Sequence, residues 1–201
     1  EALSGINLEL DDGEMAFLTG HSGAGKSTLL KLTALIERPS RGQIVVNRKN
    51  LTNLGNRRIP FYRRNLGIIF QDHHLLYDRS VFDNVSLPLV IAGYRHQEIG
   101  KRVRAALDKV GLLHKEKAQP ITLSTGEQQR VGIARAVVTK PPILLADEPT
   151  GNLDSKNSDI VFDIFRELAK ERGQTIIAVT HDDEFAANCD RILELCDGKI
   201  V

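Results

Sequence analysis

A glycine-rich loop at residues 20–27 constrains this chain more than any other segment. It reads Gly-His-Ser-Gly-Ala-Gly-Lys-Ser and fills every fixed position of the pattern G-x-x-x-x-G-K-[ST]. The apolar run at residues 15–19 predicts a buried strand before the loop, and residues 27–32 predict the first turns of a helix after it. In this context glycine lets backbone N–H groups converge on phosphate oxygens. The loop therefore predicts a phosphate-binding site.

The residue types in the loop indicate a nucleotide with a bound Mg²⁺ ion. The N-terminus of the following helix adds partial positive charge, which favours an anion. Lys26 is placed to reach the β- and γ-phosphates, and the Ser27 hydroxyl is a suitable Mg²⁺ ligand. The other loop residues that we assign to nucleotide binding are Gly20, His21, Ser22, Gly23, Ala24, Gly25 and Thr28.

Length and charge exclude several classes of protein. The chain has 201 residues, enough for one sizeable core and a subdomain. Its 27 basic and 26 acidic residues argue against a partner such as nucleic acid, whose binding requires many phosphates to be neutralised. No apolar run approaches the roughly 20 residues that span a bilayer. Cys189 and Cys196 lack metal-motif spacing, which predicts reduced thiols in a cytosolic protein.

The hydrophobic pattern predicts an α/β fold. Continuous apolar runs at residues 66–70, 142–147 and 175–180 are typical of buried parallel strands with helices on both faces of the sheet. Residues 72–138 carry helical patterns without a buried strand, so we expect a helical subdomain there.

Three smaller β features complete this pattern. Apolar alternation predicts short strands at residues 6–10 and 44–46. Asp197-Gly198, between two apolar segments, predicts a hairpin near the end of the sequence.

Polar side chains follow the buried runs, and parallel strands bring such positions to one edge of a sheet. Asp147 ends one run and is placed to hold Mg²⁺ through water, while Glu148 is placed to polarise a water for attack on the γ-phosphate. Gln71 is positioned to contact Mg²⁺ or the attacking water, and His181 to hydrogen-bond the γ-phosphate. The alternatives are that Asp147 and Glu148 are an acidic pair that caps the next element, and that His181 has a structural role.

A second candidate anion site lies at residues 123–129. Ser124 and Glu127 match the capping box S-x-x-E, and Thr125 and Gly126 lie between them at the predicted start of a helix. Two arrangements are open at this point. Either both helix ends contact one nucleotide within the chain, or the second serves the nucleotide of another chain.

In combination, these motifs resemble the nucleotide-binding domain of an ABC ATPase, and the resemblance covers nearly the whole chain. The matching segments are the Walker A loop (20–27), the Q-loop glutamine (71), the signature (123–127), the Walker B strand with its glutamate (143–148), the D-loop (152–154) and the switch histidine (181). The resemblance implies a single α/β P-loop NTPase domain with a RecA-like mixed or parallel sheet core. Residues 1–71 and 139–201 would form this core and a small antiparallel β subdomain, and residues 72–138 an α-helical subdomain.

The resemblance further implies ATP hydrolysis with Mg²⁺ by a homodimer in the ATP-bound state. The signature of one chain closes over the ATP held by the other, in an isologous arrangement. The residues that would complete the partner's site are Ser124, Thr125, Gly126, Glu127 and Asp154. Thr125 stands where the family usually has glycine. Because threonine disfavours φ > 0 and its Cβ would crowd a phosphate, we expect slower or weaker closure.

Within the family, the chain most resembles the ATPases of bacterial cell division, on residues 15–32, 70–76 and 130–138. This implies a peripheral protein on the cytoplasmic face of the inner membrane. An integral membrane partner would dock near the segment between Leu75 and Leu89. The alternatives are the ATPase of a lipoprotein-release or macrolide or peptide export transporter, and an ATP-gated structural clamp with little turnover.

Overall fold

The computed structural model describes residues 2–151, 153–180, 186 and 189–201. In chain order, the strands are β1 (Met15–Thr19), β2 (Val45–Val46), β3 (Lys49–Asn50), β4 (Leu66–Ile69), β5 (Ile143–Asp147), β6 (Thr175–Val179), β7 (Arg191–Cys196) and β8 (Lys199–Ile200). Within the described ranges, the larger sheet has six strands in the order β4-β5-β6-β1-β7-β8. Its neighbouring strands are parallel except for the antiparallel pair β7 and β8, and β2 pairs antiparallel with β3 in a separate sheet.

The helices are α1 (Lys26–Thr33), α2 (Ile59–Arg63), α3 (Val81–Ala92), α4 (His96–Lys109), α5 (Thr125–Val137) and α6 (Ser155–Arg172). Local sequence sets several of their ends. Ser80 and Asp83 form a capping box at the start of α3. Gly93 and Gly173 adopt the left-handed conformation that ends α3 and α6. Within the described ranges, none of the helices combines the length and apolarity that a bilayer crossing requires.

Strand β1 is buried on both faces, so its side chains enter two different apolar clusters. Met15 and Phe17 belong to a cluster that includes residues of α3 to α6, whereas Ala16 and Leu18 belong to one that includes Leu30 of α1. This division follows from the alternation of side chains along a strand. The sheet is therefore covered on both sides, as the continuous apolar runs predicted.

The predicted fold class is confirmed, but one predicted element is wrong. Residues 6–10 form no strand. Their alternation is nevertheless real, because Leu8 and Leu10 pack partly against the second apolar cluster. Alternating apolar residues show which side of a segment faces the core, and they do not show that a neighbouring strand is available to pair.

The helical stretch between β4 and β5 contains α3, α4 and α5, which pack on one another, and α5 also contacts β4. The division of the chain into a core and a helical subdomain stays a prediction.

Candidate active site

The glycine-rich loop joins β1 to α1 and depends on glycine at three positions. The φ angles are 128° at Gly20, 84° at Gly23 and 109° at Gly25, all in the region that favours glycine. An added Cβ at Gly20 would overlap the carbonyl oxygen of Leu195, and one at Gly25 would lie 2.8 Å from that of Ala2. At the first and third positions the loop therefore requires glycine for its backbone conformation and for close packing.

Lys26, the first residue of α1, folds over this loop. Its side chain is buried, and Nζ donates hydrogen bonds to the carbonyl oxygens of Gly20 at 2.6 Å and His21 at 2.9 Å. Burial lowers the pKa of Lys26, while the nearby carboxylates of Glu148 and Asp147 oppose that shift. The ammonium group thus lies between the loop and the acidic end of β5.

Ser27 and Asp147 meet directly, although they are far apart in sequence. The Ser27 hydroxyl donates to Oδ1 of Asp147 at 3.2 Å. Burial raises the pKa of Asp147, and the Ser27 hydrogen bond opposes the shift. The Ser27 hydroxyl and the Asp147 carboxylate are an oxygen pair that fits Mg²⁺, which prefers oxygen ligands. The charge of the ion would also offset the cost of burying the ionised carboxylate.

Glu148 and Gln71 form the other polar pair at this edge of the sheet. Nε2 of Gln71 donates to Oε2 of Glu148 at 3.0 Å. The Glu148 backbone is left-handed, with φ of 47°, and its N–H donates to the carbonyl oxygen of Val179 at 3.0 Å. Left-handed backbone is uncommon for glutamate and occurs at sites where the surroundings hold the residue in place.

The structure thus brings together the ends of β1, β4 and β5, as the sequence predicted. The side chains gathered there are those of Lys26, Ser27, Gln71, Asp147 and Glu148. Their catalytic and metal-binding roles stay predictions. His181 and the first D-loop position, residue 152, lie outside the described residues.

The signature segment forms the predicted cap of α5. The Ser124 hydroxyl accepts from the N–H of Glu127 at 3.3 Å, and the Glu127 carboxylate accepts from the N–H of Ser124 at 2.9 Å. Glu127 also pairs with Lys115, which is the largest cause of its lowered pKa, followed by the Ser124 N–H. Its carboxylate is therefore used within its own chain, and its contact with a nucleotide stays a prediction.

Thr125 does not adopt the positive φ that threonine disfavours. Thr125 is the first residue of α5 and is absent from the set of described non-glycine residues with positive φ. Gly126 is the position where a side chain is excluded, because an added Cβ would lie 2.9 Å from Cγ of Asn157. Crowding of a phosphate by the Thr125 Cβ stays a prediction.

Asn157 joins the D-loop to the signature helix, a link that the sequence analysis missed. The Asp154 carboxylate accepts from both the backbone N–H and Nδ2 of Asn157, at 2.9 Å each. Arg130 in α5 donates to Oδ1 of Asn157 at 2.5 Å. The Asp-x-x-Asn spacing indicates the helix cap, but no local signal indicates the contact with α5.

Arg135 is a second residue that the sequence analysis missed. Its guanidinium donates to the carbonyl oxygens of His73 at 2.6 Å and His74 at 2.7 Å. Both histidines have left-handed backbone, with φ of 59° and 45°. Arg135 therefore holds the loop that immediately follows Gln71 in an otherwise unfavourable conformation.

Among the described residues, no hydrogen bond or ion pair joins the signature, residues 123–127, to the glycine-rich loop. The signature instead contacts Lys115 and Asn157 of its own chain. Which chain's nucleotide the signature serves stays a prediction.

Comparison with known proteins identifies the class. The family model for ABC transporters matches residues 3–151, and the chain belongs to this family. It is an ATP-binding ATPase of the ABC type, as predicted.

Individual relatives agree with this assignment. The chain is 57% identical over 201 residues to the cell division ATP-binding protein FtsE of Escherichia coli (strain K12), covering 100% of this chain and 90% of the relative. It is 42% identical over 202 residues to the lipoprotein-releasing system ATP-binding protein LolD of Geobacter metallireducens, covering 100% of this chain and 90% of the relative. A dimeric ATP-binding cassette solved in a post-hydrolysis state with ADP and Pi matches with a TM-score of 0.93 and 35% identity, covering 99% of this chain and 88% of that chain.

Proposed function

We propose that this chain is the ATP-hydrolysing subunit of a membrane-associated complex in bacterial cell division, and that it drives an FtsX-like membrane partner. The observation that carries the proposal is the 57% identity to the FtsE protein of E. coli across the whole chain. The alignment with the lipoprotein-releasing relative also spans the whole chain, at 42% identity. The difference between 57% and 42% identity therefore does not arise from a difference in coverage.

The site geometry supports a specific role in hydrolysis for each of these residues. Ser27 and Asp147 would hold Mg²⁺, which when bound neutralises charge on the phosphates. Glu148 would accept the proton of the attacking water, and Gln71 would fix its carboxylate through the 3.0 Å hydrogen bond. Lys26 would exchange its two carbonyl acceptors for phosphate oxygens, and His181 would contact the γ-phosphate.

Completion of the site would require a second copy of the chain. In that dimer the signature and Asp154 of one protomer would contact the ATP held by the other. The link from Asp154 through Asn157 to Arg130 would make these parts move together. Hydrolysis would remove the contacts that favour the closed dimer, so the dimer would open.

An exposed apolar strip on α3 supports the predicted docking position. Leu87, Val90 and Ile91 are 38%, 57% and 58% exposed and share one face of the helix. Leu75 and Leu89, which bound the predicted segment, are buried in the first apolar cluster, and Leu89 belongs to α3. A cytoplasmic segment of the membrane partner would cover the exposed strip, which would place the chain peripherally on the cytoplasmic face of the inner membrane.

Co-purification from membranes of a cell that carries FtsX-like and lipoprotein-release permeases tests this proposal. We expect recovery of the FtsX-like protein and its loss with Val90→Glu, while ATPase activity is kept. Val45→Glu is the matched control, because Val45 is 55% exposed but lies on β2, away from α3. Recovery of the lipoprotein-release permease instead would contradict the cell-division assignment.

The clamp alternative is tested separately with Glu148→Gln. The amide retains an oxygen that accepts from Gln71 but loses the base, so we expect trapped ATP-bound dimers and failed division. A trapped dimer that supports full division would favour a clamp whose hydrolysis only resets binding.

A further inference from the structure

The turn between β7 and β8 packs against the glycine-rich loop. The N–H of Gly198 donates to the carbonyl oxygen of Ala24 at 3.0 Å, and Gly20 lies against the carbonyl of Leu195. Asp197 and Gly198 have φ of 48° and 78°, which forms the compact two-residue turn of a hairpin. Side chains from the turn and from the loop can therefore share a single site.

Three potential metal ligands meet at this junction. The Nδ1 or Nε2 atom of His21, the Cys196 thiol and the Asp197 carboxylate offer ligand atoms that all lie within 4.8 Å of one another. Nε2 of His21 is 3.3 Å from Oδ1 of Asp197. Cys196 lies on the outer face of β7 because its neighbour Leu195 points into the core. All three residues are exposed, so ions from solvent have access to them.

The hydrogen bonds of His21 indicate which of its two ring nitrogens would bind a cation. Nδ1 lies 2.8 Å from the carbonyl oxygen of Ser22, which only accepts, so Nδ1 carries a proton. Nε2 then faces the carboxylate of Asp197 with its lone pair, unless a second proton or a cation lies between them. A backbone carbonyl that fixes the imidazole tautomer is the usual support for a metal-binding histidine.

We propose that His21, Cys196 and Asp197 form a zinc site with three protein ligands and a fourth position open to water. Imidazole nitrogen, thiolate and carboxylate oxygen are all zinc donors. Nitrogen and oxygen ligands of a tetrahedral zinc ion lie about 3.4 Å apart, close to the 3.3 Å between Nε2 and Oδ1.

This site is distinct from the proposed Mg²⁺ position, although it lies on the same loop. The His21 carbonyl accepts from Lys26, while its ring turns toward the hairpin. Zinc would fasten the loop to the turn that already supports it through Ala24 and Gly198. The site thus adds a metal-dependent constraint on the loop that the ATPase cycle does not itself require.

Titration of the full chain, free of nucleotide and kept in a non-thiol reductant, tests the proposal. We expect one equivalent of Zn²⁺ to bind, and Co²⁺ in its place to give a thiolate-to-cobalt charge-transfer band with the visible spectrum of a tetrahedral site. Cys196→Ser is expected to abolish the charge-transfer band and weaken Zn²⁺ binding at least about tenfold. Asp197→Asn, which tolerates the left-handed turn, is expected to weaken binding similarly.

The matched control is Cys189→Ser, since Cys189 is the chain's other cysteine and lies against the carbonyls of Ala186 and Arg191. It is expected to leave both signals unchanged. An absent band in the wild-type chain, or a band that survives Cys196→Ser, would overturn the proposal and leave His21 and Asp197 as an ion pair. Because the titration contains no nucleotide, its failure would not bear on the ATPase function.

Discussion

Replacement of Arg135 by methionine tests whether α5 holds the loop that follows Gln71. The substitution keeps an unbranched side chain but removes both hydrogen bonds to the carbonyls of His73 and His74. Bonds to a charged group contribute about 1.5–3 kcal/mol each, so the pair contributes about 3–6 kcal/mol. Two left-handed non-glycine residues cost about 2–4 kcal/mol, which the loop regains when it relaxes.

The midpoints of these two ranges differ by about 1.5 kcal/mol, so we expect Arg135→Met to lower the free energy of unfolding by roughly that amount. For a chain of this size that corresponds to a fall in melting temperature of about 3–6 °C. The relaxed loop should also release Gln71 from Glu148. We therefore expect a clear drop in kcat at temperatures where the variant is fully folded.

Denaturant unfolding and steady-state ATPase assays measure the two effects. Arg79→Met is the matched control, because the Arg79 side chain is 62% exposed and its ion-pair partner is the adjacent Asp78. We expect the control to change neither quantity appreciably. Unchanged stability, or lost stability with full kcat, would refute the reasoning that Arg135 positions Gln71 through the loop.

Three further predictions concern the acidic strand end, the D-loop link and the signature. Burial raises the pKa of Asp147, so ionised Asp147 lowers the free energy of unfolding. This loss of stability is complete above the raised pKa of the folded state and absent below the ordinary pKa of the unfolded state. Asp147→Asn should therefore stabilise the nucleotide-free protein at neutral pH, with a gain that shrinks in acid, while turnover is lost; a pH-independent gain in denaturant titrations would contradict this. Asn157→Ala should cost about 1–2 kcal/mol and weaken ATP-driven dimerisation measured by sedimentation, because Asp154 and Arg130 lose their common partner; an unchanged dimerisation constant would argue against the link. Thr125→Gly should raise ATP-driven dimerisation if the Thr125 Cβ crowds a phosphate, and equal dimerisation would remove that explanation.

Features encoded by local patterns could be predicted from the sequence. The glycine-rich loop requires left-handed backbone that glycine supplies, and the Ser124 and Glu127 cap depends on residues three apart. The continuous apolar runs predicted β4, β5 and β6 because a strand buried on both faces has no polar side. Residues 6–10 show the limit of this approach, since alternation is present without a strand.

Contacts between distant segments could not be predicted from local patterns. Arg135 reaches the loop at residues 73–74, and Arg130 reaches Asn157, only after the helices have packed. The proximity of His21 and Cys196 could not be predicted for the same reason. They meet because β1 and β7 are parallel neighbours, so the segments after both strands share one edge of the sheet. The spacing of the cysteines in the sequence does not indicate that β1 and β7 are neighbours in the sheet.

The central claim is that the glycine-rich loop is half of a site that the signature of another chain completes. Mixing two inactive variants, Lys26→Ala and Ser124→Arg, tests it most directly. In an isologous dimer with two sites shared between the chains, each mixed pair has one intact site, formed by the loop of the Ser124 variant and the signature of the Lys26 variant. Random pairing then predicts recovery of about a quarter of wild-type ATPase activity. No recovery, with mixed dimers demonstrated by differential tags, would contradict the account and place the complete site within one chain.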